Sequence, residues 1–191
     1  MKKNLMISIW MTLVTTVIFG LIYPLVVTGL AQLMMPSRAN GQLLKPNGKL
    51  VGSSIIGQPF SSPQYFHSRP SAAGNGYDPT SSSGSNLGPT NKTLVDRVNA
   101  DVATLQAENP NVPVPVDLVT TSGSGLDPHI SPAAADFQVP RVARARGISE
   151  QELRAIVARR TNGRDLGFLG EPRVNVLELN LDLDATHPVT H

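Results

Sequence analysis

The chain has no cysteine. That excludes disulfides, thiolate metal centres, a thiol nucleophile and a lipidated cysteine anchor. Aromatic residues are scarce, with five Phe, three Tyr and one Trp in 191 residues. Charge is missing from one stretch altogether: between Asn4 and Ser37 there is no Asp, Glu, Lys or Arg. Basic excess is also absent once the first residues are set aside. The chain carries 16 Lys and Arg against 14 Asp and Glu, and without Lys2 and Lys3 the two signs are equal. The composition therefore gives no support to nucleic-acid binding.

The uncharged stretch fixes the organisation. A bilayer core needs about 20 apolar residues as a helix, and Leu5 to Leu33 is dominated by Leu, Ile, Val and Phe. A secretory signal has an apolar region of only about 7–15 residues. The expectation is a retained transmembrane helix over residues 1–35 and one soluble domain over 36–191. Pro24 removes a helical hydrogen bond and predicts a kink. Gly20 and Gly29 on either side are candidates for close packing against a neighbouring membrane helix. Lys2, Lys3 and the terminal amine precede the span, while Arg38, Lys45 and Lys49 follow it less densely. The charge rule then keeps the short N-terminus in the cytoplasm and places the domain outside a plasma (inner) membrane, with lipid as one partner.

Within the domain, Pro46-Asn47-Gly48 between Leu43-Leu44 and Leu50-Val51 predicts a hairpin. A Pro, Ser and Gly-rich region follows from Gly57 to Pro89. Phe60, Tyr65, Phe66 and Tyr77 mark it as an ordered irregular loop rather than a linker. Asn91 caps a helix carrying Leu94, Val98, Val102 and Leu105 at helical spacing. Val114 to Val119 reads as a strand. Ser131-Pro132 starts a helix, which Pro140 divides into 132–138 and 140–146, with Gly147 closing the second. Ser149 and Glu152 form a capping box inside an Ile148–Leu153 staple, for a helix to about Thr161. Arg173 to Leu181 reads as a strand, with Leu177, Leu179, Leu181 and Leu183 on one face at period two; the alternative is a short helix, but Val174 and Val176 favour strand. The fold class is α+β: a membrane helix, then a small sheet with several helices.

Two Gly/Ser loops precede helices. In Leu118 to Pro132, Ser122, Gly123, Ser124, Gly125 and Asp127 form a loop like a phosphate cradle. A P-loop needs Lys and Ser/Thr after the last glycine, whereas Leu126-Asp127-Pro128 stands here. What remains is a turn with a cap, or a generic anion site at a helix start. The loop of Ser83, Gly84, Ser85, Asn86, Gly88 and Asn91 could likewise surround an oxygen-rich ligand or serve for turns and capping. Ser124, Asp127 and His129 supply the residue types of a hydrolase, without a nucleophile elbow. His187 and His191 are four apart, but Pro188 prevents a helix between them, and a free tail is expected rather than a metal pair.

Five blocks in order carry a family resemblance: Gly52-Ser53-Ser54-Ile55-Ile56-Gly57-Gln58-Pro59-Phe60, Tyr65-Phe66-His67-Ser68-Arg69-Pro70-Ser71, Ser83 to Asn91, Asp117 to Pro132, and Gly170 to Asn180. With the N-terminal span they resemble KdpC, the C subunit family of Kdp-type potassium-transporting ATPases, over essentially the whole chain. One departure is Gly84-Ser85, where the family pattern has Gly-Gly-Ser. The resemblance implies a non-catalytic accessory subunit that stabilises a potassium-import pump and raises its ATP affinity. Its partners would be a P-type ATPase subunit and a channel-like, potassium-conducting subunit. ATP would be the one small ligand, with the two Gly/Ser loops as candidate nucleotide or partner contacts. The sequence has no Asp-Lys-Thr-Gly phosphorylation motif and no Walker motif of its own. The alternatives are a membrane-anchored extracytoplasmic hydrolase and an anchored ligand-binding module.

Overall fold

A computed structural model describes residues 1–188. His191 lies outside the described residues, whereas His187, expected in a free tail, is held: its Nε2 lies 3.0 Å from Glu152 Oε1 and its carbonyl accepts from Arg146 at 2.8 Å. The chain forms two compact units, Met1–Val51 and Gly52–His191.

The first unit is dominated by one helical run, Lys2–Met34, of 33 residues. At 1.5 Å per residue it is about 50 Å long, more than the roughly 30 Å of a hydrocarbon core. None of its most apolar window is buried, so its Leu, Ile, Val and Phe side chains have no protein cover. The run divides into α1 (Lys2–Val17), a π-helical turn (Ile18–Ile22) and α2 (Tyr23–Met34). The π turn sits beside Pro24 and has a physical reason. Proline has no N–H and its ring crowds the carbonyl four residues back, here Gly20. A wider turn accommodates that crowding, and the Tyr23 N–H donates to Ile18 O, five residues back. After the short α3 (Pro36–Ala39), β1 (Leu43–Leu44) leads into a 3-10 turn at Pro46–Gly48. The Val51 N–H returns to Leu44 O at 3.0 Å, as the expected hairpin requires.

The second unit begins with β2 (Gly52–Ser53), and no helix or strand follows until α4 (Lys92–Glu108). Asn91 caps α4 by accepting from the Thr93 N–H. A three-stranded antiparallel sheet, ordered β3 (His129–Ile130), β5 (Arg173–Asn175), β4 (Thr161–Asn162), pairs Ile130 and Thr161 with opposite sides of Val174. Around it pack α5 (Pro132–Arg146), α6 (Glu150–Arg159) and α7 (Val176–Thr186). Phe66, Ile130, Phe137, Val139, Val142, Leu153, Val174, Leu179 and Leu183 form one buried cluster. The architecture is α+β, as expected.

Three elements differ from the sequence reading. Residues 176–186 are a helix, not a continuation of the strand. Val176, Leu179, Asn180 and Leu183 are buried at positions i, i+3, i+4 and i+7. Asn175 caps this helix by accepting from the Glu178 N–H. Alternating leucines satisfied both periods, and the cap decided between them. Residues 132–146 are a single helix running through Pro140. The carbonyl deprived of a donor belongs to Asp136, an exposed residue where water can serve, while the buried face on both sides keeps the helix together. Val116–Leu118 is a 3-10 turn rather than a strand. Pro113 and Pro115 remove donors from any ladder, and the Asp117 carboxylate instead accepts from the Ser131 N–H at 2.7 Å. The two caps at Ser131 and Ser149 form as expected, and Gly147 closes α5 in the left-handed region. α6 ends at Arg159, two residues before the expected Thr161. The capping box is half made, because the Glu152 carboxylate lies against His187 at 3.0 Å.

Candidate functional site

The long irregular segment is held by side chains that act as strand partners. Asn180, buried on α7, accepts from the Phe66 N–H at 2.9 Å and donates to Phe66 O at 3.0 Å. Gln138, buried on α5, does the same for His67: it accepts at 2.7 Å and donates at 3.1 Å. Two consecutive residues with no strand beside them therefore have both backbone groups paired inside the protein. Arg141, one turn on from Gln138, donates to Pro63 O and Tyr65 O at 2.7 and 3.0 Å. Arg146 donates to Gln64 O and pairs with Asp184 at 2.8 Å, its guanidinium lying over the Tyr65 ring. Its side chain is 1 % exposed, so it acts as an internal brace. Burial first, and then the charge of Arg141, push the His67 imidazole below its ordinary pKa, so it sits neutral.

Arg69 extends this scaffold to the Ser122–Asp127 loop. It pairs with Asp127 at 3.2 Å and reaches Thr120 O at 3.4 Å. The Tyr77 hydroxyl in turn donates to Arg69 O. Burial pushes the Asp127 carboxyl up, but hydrogen bonds from His129 and the Arg69 charge outweigh it and hold it below the ordinary carboxylate value. The acid is ionised and already neutralised.

The two Gly/Ser loops meet. The Ser83 N–H and the Ser82 hydroxyl both donate to Ser124 O at 3.0 Å. Gly84 lies over Gly123, whose carbonyl would stand 3.2 Å from an added Cβ. Gly125, at φ +67°, is closer still: a Cβ would fall 2.5 Å from Ser83 O and 2.7 Å from the Ala73 nitrogen. The glycines thus allow backbone to approach backbone, and no phosphate is needed to explain them. The Ser83 hydroxyl donates to Gly84 O, Ser124 Oγ accepts from the Leu126 N–H, and Ser122 Oγ lies 3.4 Å from Ser124 Oγ. Ser85 is half-buried, Asn86 is exposed in the left-handed region at φ +53°, and Gly88 O accepts from the Asn91 N–H. Asn91 is spent on capping α4.

Near the Ser122–Asp127 loop is a cleft of about 410 Å³, lined by Arg69, Asp117, Asp127, His129, Glu171 and Arg173 among others. Three of the sequence blocks converge there. The Asp117 carboxylate occupies the start of α5 by accepting from both the N–H and the hydroxyl of Ser131. A negative charge already stands where a generic anion would bind. No hydrogen bond joins Ser124 to His129 among the described residues, whereas His129 Nδ1 lies 3.6 Å from Asp127. No group of three or more metal-ligating side chains occurs among the described residues. In the first unit, a Cβ on Gly29 would meet nothing and one on Gly20 only Thr16, at 3.8 Å. Both glycines therefore leave shallow places on the uncovered helix.

Sequence reasoning missed Arg69, Gln138, Arg146 and Asn180. The signal for Gln138 and Asn180 was a lone amide at a helical core position. For the arginines there was none, because their partners lie 38 to 82 residues away.

A model of the family described as the c chain of K+-transporting ATPase matches residues 5–185. The class is therefore that of small subunits of potassium-transporting ATPases. A protein of Koribacter versatilis named Potassium-transporting ATPase KdpC subunit is 66% identical over 189 residues, covering 99% of this chain and 98% of its own. Subunits of the same name from Caulobacter vibrioides, at 59% over 91% of this chain and 88% of their own, and Rhodopseudomonas palustris, at 56% over 97% and 98%, are similar along most of their length. The chain belongs to the KdpC family.

Proposed function

We propose that the protein is a non-catalytic accessory subunit of an ATP-driven potassium importer, needed for assembly of the complex. It is anchored in the inner membrane by the Lys2–Met34 helix, with its N-terminus cytoplasmic and residues 36–191 outside. The observation that carries this is the pairing of an uncovered apolar helix with loops whose polar groups largely serve one another. Such a protein acts through its surfaces. Phosphoryl transfer belongs to a P-type ATPase subunit, and ion conduction to a channel-like subunit.

The family resemblance implies an effect on ATP affinity. ATP is cytoplasmic, and the positive-inside rule places the domain on the other face. The effect therefore runs through the span, or through a domain that caps the outer ion entrance, without contact between the Gly/Ser loops and ATP. Deleting residues 1–35 is expected to abolish recovery of the pump on a tagged partner subunit. A span-deleted domain that still joined the pump and restored potassium uptake would sink the proposal. A topology reporter fused after His191 should be active only outside the membrane; a cytoplasmic reading would reopen direct contact with ATP at Ser83–Asn91 and Ser122–Asp127.

A further inference from the structure

Between β4 and β5 the chain makes a tight turn. Asp165 and Leu169 form an antiparallel bridge, each N–H donating to the other's carbonyl at 2.9 Å. Two ion pairs brace it, Arg164 to Glu171 at 2.7 Å and Arg173 to Asp165 at 3.2 Å. At its tip Leu166, Phe168 and Leu169 are 84%, 69% and 49% exposed. Scattered exposed apolar residues are ordinary, but here three fall within four residues of one braced turn. Leu166 also adopts φ +53° beside Gly167 at φ +81°. A left-handed position favours Gly, Asn or Asp, and crowds a Leu Cβ against its own backbone. Stability alone would place a small polar residue here. One position thus carries two costs, a strained backbone and an exposed side chain, and both are explained if the side chain is covered in the working protein.

We infer that the Leu166–Leu169 turn is a docking element that inserts into an apolar, polar-rimmed pocket on the extramembrane part of another subunit of the same pump. This rests on the accessory-subunit reading above. The braced turn is ordered before binding, which reduces the entropy lost on association. Large apolar side chains filling a pocket inside a polar ring are the usual pattern of interface anchors. The collar distinguishes a protein from a lipid surface. Surface-seeking segments carry excess Lys and Arg that are drawn to anionic headgroups. Here each arginine is matched by a carboxylate, so the turn has no net charge to draw it to a bilayer.

The chain contains no cysteine, so Leu166→Cys gives a unique site for an environment-sensitive dye on the full-length protein. Adding the purified partner subunits should blue-shift the dye. The same protein alone in vesicles of phosphatidylethanolamine and phosphatidylglycerol should not shift, nor be quenched by a lipid-borne quencher. Quenching in vesicles alone would overturn the inference in favour of lipid, and no shift with partners would overturn it outright. In parallel, Leu166→Asn relieves the backbone and should leave the purified chain at least as heat-stable as the parent. It should nonetheless weaken recovery of the partner subunits about tenfold under stringent washing, as should Phe168→Ser. Parental recovery by both variants would refute the docking role while leaving the assembly reading intact. Failure of the parent chain itself to recover any subunit would sink both.

Discussion

Residues 57–89 have no regular secondary structure, yet Phe66 and Ala73 within them are fully buried and backbone groups on both sides of Phe66 are paired to side chains. Residues 164–171 form a regular bridged turn, yet every one of them is exposed. Regularity and burial have been separated. The irregular segment is held from outside by Asn180, Gln138, Arg141 and Arg146, so its shape belongs to the domain that surrounds it. The turn is held by its own backbone and two local ion pairs, so its shape is independent of what lies beyond its tip. The first arrangement suits a scaffold, and the second suits a surface presented to something else.

The largest expected effect comes from cutting the scaffold. Asn180→Leu fills the same space but orphans the Phe66 N–H and carbonyl, each costing about 1–3 kcal/mol when buried. Denaturant titration should show a loss of about 4 kcal/mol, and a loss under 1 kcal/mol would mean that the segment is held otherwise. Gly125→Ala should cost about 2–3 kcal/mol in the same assay, because its Cβ meets backbone at 2.5 and 2.7 Å. An unchanged midpoint would show that the two Gly/Ser loops are not pressed together.

A smaller effect is expected at Asp182, which anchors Arg159 and Arg160 just before β4, at the foot of the exposed turn. The hydrogen bond from Arg160 leads in holding its carboxyl at about 2, against an ordinary 3.8. A depressed acid stabilises the fold above its unfolded value and ceases to do so as pH falls through the folded one. Because both guanidiniums are partly exposed, the contribution is about 1 kcal/mol. The difference between the parent and Asp182→Asn should be full at pH 6 and close between pH 3.8 and about 2; a difference constant over that range would refute the pairing. The smallest effect sharpens the contrast from the other side. Leu166→Asn should stabilise the isolated chain by about 0.5 kcal/mol, by removing strain at a left-handed position.

What could be read from the sequence was local. Asn91, Ser131 and Ser149 cap helices with their own neighbours, and Gly147 ends one by its own backbone, so a few adjacent residues sufficed. Pro140 misled because its cost depends on whether the orphaned carbonyl faces water, which only packing decides. Leu177 to Leu183 misled because leucines at alternate positions also populate a helical face when Val176 and Asn180 join them. Among the candidate site residues, Ser83 and Ser124 were rightly seen as loop residues, but their meeting depends on contacts about 40 residues apart. The exposure of Leu166 and Phe168 was illegible for a simpler reason. Apolar residues in a folded domain are read as core unless a structure shows them outside.

The π turn before Pro24 has a consequence for the membrane helix as a whole. An α-helix advances about 100° per residue, so one additional residue in a single turn rotates everything beyond it by roughly that angle. The stripe that continues straight from α1 is therefore not the stripe that α2 presents. One uninterrupted rod offers two differently aimed seams, so it can lie against one neighbour in its first half and another in its second.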